Sequence, residues 1–309
     1  MKALITGISG QIGSRLSEVL TDLGIEHLGI DVATSDTTAP FLRADLSCKA
    51  DEGKIRNFIS GVTHVFHLSG TIYDDNNFHS ALLKQFQGGA MATTRLLGLL
   101  PPETEHICFA SSMMVYGAPL RAPVYEGDIL NPVNCYALDK IASEQYLKLF
   151  CKQKSISCAI LRYSSIYGPG KISSRAIPNM IESVLAEKAP YVINAGSTYR
   201  DYMYIDDAVN ATVAASTLCA TGTFNIGTGV ATKTRDLANK IINILNSNLV
   251  VENRDGLEDY SFVYSIEKME SELDYSPRVS IDTGLREKIK WHLSLKEKID
   301  LNSNFKGDK

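Results

Sequence analysis

Residues Lys2–Gly13 read K-A-L-I-T-G-I-S-G-Q-I-G. A short apolar run, typical of a buried strand, breaks into three glycines spaced three residues apart. Residues 14–23 then have the periodicity of an amphipathic helix, and Gly24 ends it. A strand, a glycine-rich turn and a helix in this order predict a site where backbone approaches a pyrophosphate at a helix N-terminus. A purely structural glycine turn is the alternative.

Strands and helices alternate after this first unit. Apolar runs predict further strands at 26–30, Phe41–Leu46, Thr63–Leu68 and His106–Ala110, and a long helical stretch runs from about Asn76 to Leu100. Continued to about residue 163, this alternation predicts an α/β fold, a Rossmann doubly wound parallel sheet. Ligands of such sheets bind at the carboxyl ends of the strands, so residues that follow the strands become candidates for a site.

Asp31 ends the second predicted strand, eighteen residues after Gly13. A carboxylate at this point can bind the ribose hydroxyls of adenosine and would repel a 2′-phosphate. The next basic residue is Arg43, so NAD is favoured over NADP. The alternative is an aspartate that merely closes a strand as a turn residue. Asp45, at the end of the third predicted strand, is expected to reach the adenine amine.

The stretch Asn134–Lys140, N-C-Y-A-L-D-K, begins another predicted helix. Tyr136 and Lys140 are four residues apart and therefore share one helix face. A lysine beside a tyrosine favours the phenolate, which would give a base able to take a proton from an alcohol. The alternative is an ordinary tyrosine and lysine on a surface helix.

Composition excludes several other classes of protein. The net charge of −4 and a pI near 5.9 argue against a nucleic-acid partner, and no apolar run is long enough for a membrane helix. The chain enters a strand at once, so we expect no signal peptide. Six scattered cysteines lack paired C-x-x-C spacing, which argues against a metal site or disulfide framework and predicts a cytoplasmic protein with reduced thiols.

Several motifs occur together, in order, along nearly the whole chain. On these residues the chain resembles the extended short-chain dehydrogenase/reductases, in particular the NAD-dependent nucleotide-sugar epimerase/dehydratase family with its UDP-glucose 4-epimerase-like members. The motifs are G7-x-x-G10-x-x-G13, Asp31, Asp45-Leu46, His67-Leu68-Ser69-Gly70, S111-S112-M-M-V-Y-G117, Y136-x-x-x-K140, R-Y-S-S-I-Y-G-P-G (162–170), R-D-Y-M-Y-I-D-D-A (200–208) and Asn225-Ile226-Gly227.

The resemblance implies a role for each matched residue. Tyr136 would be the base, Lys140 would bind the nicotinamide ribose, and Ser112 would bond the reacting oxygen, unless its hydroxyl only bonds local backbone. The implied NAD-binding residues are Gly7, Gly10, Gln11, Ile12, Gly13, Asp31, Asp45, Leu46, Leu68, Ser69, Gly70, Tyr136, Lys140 and Tyr163. The implied substrate-binding residues are Ser112, Tyr136, Ser165, Arg200 and Arg254.

The two arginines would bind a nucleotide diphosphate, whose oxygens suit a guanidinium fork. For Arg200, the alternative is an ion pair with Asp201 or Asp206. For Arg254, a solvated loop charge is equally compatible with the sequence.

The chain departs from the family pattern at several positions. Met113 and Met114 stand where dehydratases of the family carry an acidic pair, and a thioether cannot protonate a leaving hydroxyl. A 4,6-dehydratase is therefore not expected. Ser165 and Gly89 replace two customary asparagines, and Asn134-Cys135 replaces a customary Ser-Pro.

The leading hypothesis is an NAD-dependent epimerase of a nucleoside-diphosphate sugar, acting at C4 through a transient 4-keto sugar. The alternatives are a reductase or dehydrogenase of a (deoxy)sugar nucleotide or small alcohol, and a non-catalytic NAD-binding protein. The resemblance also implies a Rossmann domain of residues 1–168 and about 201–227, with a smaller, discontinuous substrate lobe from about 169–200 and 228–309. It further implies a homodimer built on helices 76–100 and 136–150, whereas a buried helix face in a monomer would give the same periodicity.

Overall fold

The computed structural model describes residues 1–70, 78–170, 175–256 and 260–304 of the chain. Its strands are β1 Lys2–Thr6, β2 Glu26–Asp31, β3 Phe41–Arg43, β4 His64–His67, β5 His106–Ser112, β6 Ser157–Tyr163, β7 Ser165–Tyr167, β8 Tyr191–Ile193, β9 Tyr199–Tyr204, β10 Gly222–Ile226, β11 Ala231–Lys233 and β12 Glu252–Arg254. Its α-helices are α1 Gln11–Asp22, α2 Glu52–Phe58, α3 Phe78–Phe86, α4 Ala92–Leu99, α5 Cys135–Lys154, α6 Ala176–Leu185, α7 Ile205–Thr217, α8 Thr234–Ile244, α9 Glu267–Leu273 and α10 Ile281–Asn304.

Seven parallel strands form the main sheet, in the order β10-β6-β5-β4-β1-β2-β3. The prediction of a doubly wound parallel sheet is confirmed. Strand order reverses at β1, whose neighbours are β2 and β4. The turn after β1 therefore lies at the switch point of the sheet, where such folds leave a crevice for ligands.

Alternate residues of the central strands face opposite sides of the sheet. Leu4 and Val65 belong to one buried cluster, which includes residues of α2, α4 and α5. Ile5 and Phe66 belong to the other cluster. Both faces are buried, which explains why these strands read as apolar runs.

The remaining strands form two small sheets. One has the order β11-β9-β7, and the other pairs β12 with β8. Leu237 and Ile241 of α8 and Leu285 and Ile289 of α10 belong to the same buried cluster as Ile5. The helices that follow residue 230 thus share a hydrophobic core with one face of the main sheet.

Among the predicted elements that end elsewhere in the structure are the third strand and the last helix. The third strand ends at Arg43 and not at Leu46, because Asp45 accepts hydrogen bonds from the backbone and hydroxyl of Ser47, both at 2.7 Å, and forms a turn. The last helix, predicted around 285–292, spans Ile281–Asn304. The helical stretch predicted from Asn76 is described from Phe78, since residues 71–77 lie outside the described chain.

That helical stretch also contains a π-helical turn, Gln87–Met91, between α3 and α4. A Cβ atom on Gly89 would lie 1.6 Å from Oδ2 of Asp139 on α5. The backbone N–H of Ala90 donates to Oδ1 of Asp139 at 2.8 Å. Gly89, a departure from the family pattern, therefore makes room for a carboxylate of the facing helix.

Candidate active site

The glycine-rich turn after β1 needs glycine for close backbone approach. Gly7 has a φ of +75°, and a Cβ there would lie 2.8 Å from the Ser69 nitrogen. A Cβ on Gly13 would lie 2.2 Å from the Gly7 oxygen. Helix α1 begins without a side-chain cap and without an acidic residue in its first turn. Its first N–H groups therefore suit an anion.

A cavity of about 320 Å³ opens along this turn. Asp31 lies in its wall, where Oδ2 accepts a hydrogen bond from the Ser9 backbone at 3.0 Å. Arg43 does not line it and instead donates to the Val32 carbonyl at 3.0 Å. The predicted NAD-binding residues in its wall are Gly7, Gly10, Asp31, Asp45, Leu46, Leu68, Ser69 and Gly70.

This wall fits a dinucleotide. Backbone N–H groups at a helix start suit a pyrophosphate, and the carboxylates of Asp31 and Asp45 can accept hydrogen bonds from ribose hydroxyls and an amine. The small residues at Gly7, Ser69 and Gly70 allow a ligand to approach the backbone closely.

The other predicted NAD-binding residues are not in this wall, namely Gln11, Ile12, Gly13, Tyr136, Lys140 and Tyr163. Ile12 packs against the hydrophobic core. The Gln11 amide donates to the Gly168 carbonyl at 3.2 Å. Tyr163 is buried, its hydroxyl is 2.6 Å from that of Thr212, and burial raises its pKa. The structure thus brings neither Ile12 nor Tyr163 to the wall of the cavity beside Asp31.

A second cavity, of about 380 Å³, is lined by residues predicted to bind and react with the substrate. It brings together four of the five predicted substrate-binding residues, Ser112, Tyr136, Ser165 and Arg200, which are distant in sequence. We call it the Tyr136 cavity. Further residues in its wall include Gln11, Met113, Met114, Arg175, Tyr202, Tyr260 and Lys288.

Tyr136 lies in the first turn of α5. The Asn134 side chain caps this helix, since its Oδ1 accepts a hydrogen bond from the Ala137 nitrogen at 2.8 Å. The Asn134-Cys135 departure therefore has a local explanation, because an asparagine cap starts the helix immediately before Tyr136.

Lys140 lies one turn further along α5 and is 5% exposed. Its Nζ donates to the Ala110 carbonyl at 2.7 Å and lies 5.7 Å from the centre of the Tyr136 ring. The same atom is 3.0 Å from where a Cβ on Gly70 would stand. The Lys140 ammonium is therefore fixed between Tyr136 and the wall of the first cavity, the one that contains Asp31.

His67 lies at the end of β4. Burial lowers its pKa to about 3, and the Lys140 charge acts in the same direction. Its ring nitrogens bond the hydroxyls of Thr6 and Thr93 at 2.7 and 2.9 Å. His67 is therefore neutral, and Lys140 is not opposed by a second positive charge from this side.

Ser112 ends β5 and faces the Tyr136 cavity. Its Oγ accepts a hydrogen bond from the Met114 nitrogen at 3.3 Å, which is the local contact considered as an alternative. A hydroxyl that accepts one bond can still donate its hydrogen. Ser165 also lies in the wall and donates to the Met113 sulfur at 3.6 Å. The two methionines thus put thioethers, and no acid, beside Ser112.

A buried ion pair between Arg162 and Glu144 lies next to Ser111 and Ser112 at the end of β5. Arg162 binds both carboxylate oxygens of Glu144, at 3.0 and 2.7 Å. Ser111 donates to the same carboxylate at 2.5 Å, and Tyr116 bridges Arg162 to Asn225. Ser111, Tyr116, Arg162 and Asn225 all belong to motifs shared with the family, and their hydrogen bonds form a network that fixes the backbone next to Ser112.

Arg200 reaches the Tyr136 cavity from β9. Its guanidinium lies 5.0 Å from the centre of the Tyr260 ring and donates to the Tyr199 carbonyl at 3.2 Å. Neither carboxylate considered as its alternative partner is engaged with it. Asp201 is fully buried and accepts from Thr228 and Gly229, while Asp206 pairs with Arg15 at 2.7 Å.

Arg254 does not join the other predicted residues. It lies on β12, where its guanidinium covers the Tyr191 ring at 3.9 Å and pairs with Glu252 at 3.1 Å. It is absent from the described wall of the Tyr136 cavity. Its surroundings match the alternative of an exposed charge.

The sequence prediction missed Lys288. This residue is 1% exposed on α10 and lies in the wall of the Tyr136 cavity. Its signal in the sequence is a lysine on the apolar face of a helix, adjoining Leu285, Ile289 and His292 at helical spacing. Tyr202 and Tyr260 were missed as well.

All six cysteines are unpaired thiols. Within residues 1–70, 78–170, 175–256 and 260–304, no three His, Cys, Asp or Glu side chains are grouped so as to hold a metal ion. None of the helices in that part of the chain has the length and apolar character needed to cross a membrane.

The profile of the NAD dependent epimerase/dehydratase family matches residues 3–227. A Methanocaldococcus jannaschii protein named "Putative UDP-glucose 4-epimerase" is 30% identical over 304 residues, covering 93% of this chain and 97% of its own. The UDP-glucose 4-epimerase of Mycolicibacterium smegmatis is also 30% identical, covering 77% of this chain and 80% of its own.

A solved structure gives the same assignment. The UDP-glucuronic acid 4-epimerase of Bacillus cereus in complex with NAD superposes with a TM-score of 0.85 and 25% identity, covering 96% of this chain and 99% of its own. The chain belongs to the NAD dependent epimerase/dehydratase family, within the extended short-chain dehydrogenase/reductases.

Proposed function

We propose that this protein is an NAD-dependent epimerase that inverts C4 of a UDP-sugar. The observation that carries the proposal is the convergence of Tyr136, Ser112 and Arg200 on one cavity, with Lys140 fixed beside Tyr136. The 30% identical relatives are named as UDP-glucose 4-epimerases, and the Bacillus cereus structure is of a UDP-glucuronic acid 4-epimerase.

Tyr136 accepts the proton of the sugar hydroxyl, and the charge of Lys140 stabilises the phenolate that does so. Ser112 donates a hydrogen bond to the same sugar oxygen as it becomes a carbonyl. C4 gives up one hydride and its oxygen gives up one proton. Both return after the keto sugar has turned in the cavity, so nothing is gained or lost overall.

NAD supplies, when bound, the acceptor and donor of that hydride. Gly7, Gly10 and the start of α1 would hold its pyrophosphate, and Asp31 would bind its adenosine ribose. Lys140 adjoins Gly70 in the wall of the same cavity and would bind the ribose next to the nicotinamide. Asp31 would disfavour the 2′-phosphate of NADP by charge repulsion.

Arg200 would bind the diphosphate, and its stacking on Tyr260 would orient the guanidinium fork. Elimination of water from the sugar needs an acid beside Tyr136. Met113 and Met114 occupy that place and cannot supply a proton. The proposed reaction therefore stops at inversion and does not proceed to dehydration.

The experiment is incubation of the protein with NAD and UDP-glucose, UDP-galactose, UDP-glucuronate or UDP-galacturonate. The proposal expects one pair to interconvert to a common equilibrium ratio from either side, without accumulation of NADH. Stoichiometric NADH would indicate a dehydrogenase, and no conversion of any sugar would indicate a non-catalytic protein. Either result refutes the proposal.

The remaining proposals concern the whole chain. Residues 1–168 with about 201–227 would bind NAD, and about 169–200 with 228–309 would bind the sugar nucleotide. The unpaired cysteines favour a reducing compartment, the cytoplasm.

The apolar surfaces on α3 and α5 favour a homodimer, because these two helices pack against each other and expose large side chains. Those side chains are Phe78, Leu83, Phe86, Leu138, Tyr146 and Leu149.

A further inference from the structure

Lys288 is a buried cation without a hydrogen-bonding partner. It lies on α10 and is 1% exposed, and its Nζ has no acceptor within the described chain. The centre of the Trp291 ring lies 4.1 Å from this ammonium. Burial lowers the pKa of Lys288 to about 8. An ammonium in such a place is costly to the fold unless a ligand pairs with it.

The charged side chains in the described wall of the Tyr136 cavity are all positive. Three cationic side chains, Arg175, Arg200 and Lys288, lie in its wall. No aspartate or glutamate is among the described residues of that wall. Such a wall attracts anions and excludes cations.

Lys288 is also held in place. Gly284, one turn earlier on α10, packs so closely that a Cβ there would lie 2.1 Å from the Tyr167 hydroxyl. His292, one turn later, is buried, and its Nδ1 bonds the Lys288 carbonyl at 3.1 Å. The His292 bond lies within α10, whereas the close packing of Gly284 and the hydrogen bond from the Tyr167 hydroxyl to the Ile281 carbonyl at 3.5 Å hold this part of the helix beside the cavity.

The charges around Lys288 do not supply its partner. Glu182 of α6 raises its pKa from a distance, but the two form no ion pair within the described chain. His292 is near the same ammonium, and burial lowers its pKa as well. Glu182, the carboxylate whose charge raises the pKa of Lys288, is exposed.

We propose that Lys288 is an anion-binding residue of the Tyr136 cavity, which pairs with an oxyanion of the substrate. The inference rests on the proposed function for the identity of that substrate. A UDP-sugar offers two such groups, the diphosphate and, in a uronate, the carboxylate of the sugar. Both accept a charge-assisted hydrogen bond from an ammonium.

The test uses Trp291, the single tryptophan of the chain. Its fluorescence should change when a ligand pairs with the ammonium above its ring. UDP-glucose and UDP-glucuronate are titrated into the NAD-loaded wild-type protein and into Lys288→Met, and calorimetry repeats each titration without relying on the tryptophan. Lys290→Met, on the exposed face of the same helix, is the matched control and should bind as the wild type does.

The expected result is a loss of affinity of about 10- to 100-fold in Lys288→Met. An equal loss for both sugars assigns the diphosphate to Lys288, and a loss for UDP-glucuronate alone assigns the carboxylate. Unchanged affinity for both overturns the proposal. Thermal unfolding verifies that the variant is folded, and Lys288→Gln replaces it if it is not.

Binding is measured without turnover, so the two proposals fail separately. If no sugar is epimerised but Lys288→Met loses affinity, the anion site stands and the proposed function falls. If epimerisation proceeds and Lys288→Met binds normally, the proposed function stands and the anion site falls.

Discussion

Tyr136 is the residue on which the proposed reaction depends, because it lies in the cavity wall with Ser112 and its ring centre is 5.7 Å from the Lys140 ammonium. Tyr136→Phe removes one oxygen and keeps the ring. We expect turnover to fall by about 10²- to 10⁴-fold, the usual contribution of a general base, while NAD and the UDP-sugar still bind. Tyr146→Phe, an exposed position on the same helix, is the control and should retain full turnover. Turnover within a few-fold of the wild type in Tyr136→Phe would exclude this tyrosine as the base.

Lys288 gives a prediction for the stability of the ligand-free protein. Its pKa is about 8 in the folded chain against an ordinary 10.5, so between these values the unfolded chain binds a proton that the folded chain does not. Stability therefore rises with pH through this window, relative to a variant without the lysine. We expect the free energy of unfolding of the wild type, relative to that of Lys288→Met, to increase from pH 8 to pH 10.5. A pH-independent difference in the free energy of unfolding between the wild type and Lys288→Met over this range would contradict the prediction.

Some of these residues could be predicted from the sequence, because neighbouring secondary structure sets their positions. Asp31 and Ser112 end parallel strands and Tyr136 lies in the first turn of a helix, so the sheet alone places them at the edge where the two cavities open. Tyr163 and Arg254 are different, because their surroundings are set by contacts with Thr212 and Tyr191, distant in the chain. Lys288 was missed because a lysine on a helix ordinarily faces solvent, and only the tertiary structure buries it.

At the level of secondary structure, the packing of the π-helical turn against α5 depends on Gly89. A methyl group there would overlap Asp139, and overpacking of this kind costs about 1–3 kcal/mol. We expect Gly89→Ala to lower the free energy of unfolding by that amount. Gly98→Ala is the matched control, because it lies in α4 with no atom within 4 Å of the added methyl. It should be neutral or stabilising.

The coupling between these two helices can be tested in the same experiment. Asp139→Ala in the Gly89→Ala background should recover part of the loss, because it removes the overlapping carboxylate. Equal stability of Gly89→Ala and Gly98→Ala in chemical denaturation would show that the two helices do not pack as described.

The elements themselves were largely predictable, and their ends were not. Periodicity and glycines located β1, α1, β4 and α5 because these elements are buried on one side or both. The third strand was predicted too long because the Asp45 turn competes with the strand ladder. The π-helical turn left no pattern in the sequence, since it results from a contact with a helix 50 residues away, between Gly89 and Asp139.

For the whole molecule, the exposed apolar side chains of α3 and α5 predict self-association. Leu149 is 57% exposed on α5, on the same face as Leu138 and Tyr146. We expect the wild type to sediment as a dimer and Leu149→Asp to sediment as a monomer or with a much weaker dimer constant, because a buried unpaired carboxylate opposes association. Leu218→Asp, equally exposed at the end of α7, should leave the dimer intact. A wild-type protein that is monomeric at every concentration tested would exclude the dimer.

The most direct test of the proposed function follows the hydrogen on C4. The UDP-sugar that turns over is prepared with deuterium at C4 and incubated with the protein and NAD, and the product is analysed by NMR and mass spectrometry. If C4 gives up a hydride and takes the same hydride back, the epimer retains its deuterium and no NADH accumulates. Loss of the deuterium to solvent, a dehydrated product or stoichiometric NADH would contradict inversion at C4 by the Tyr136 site.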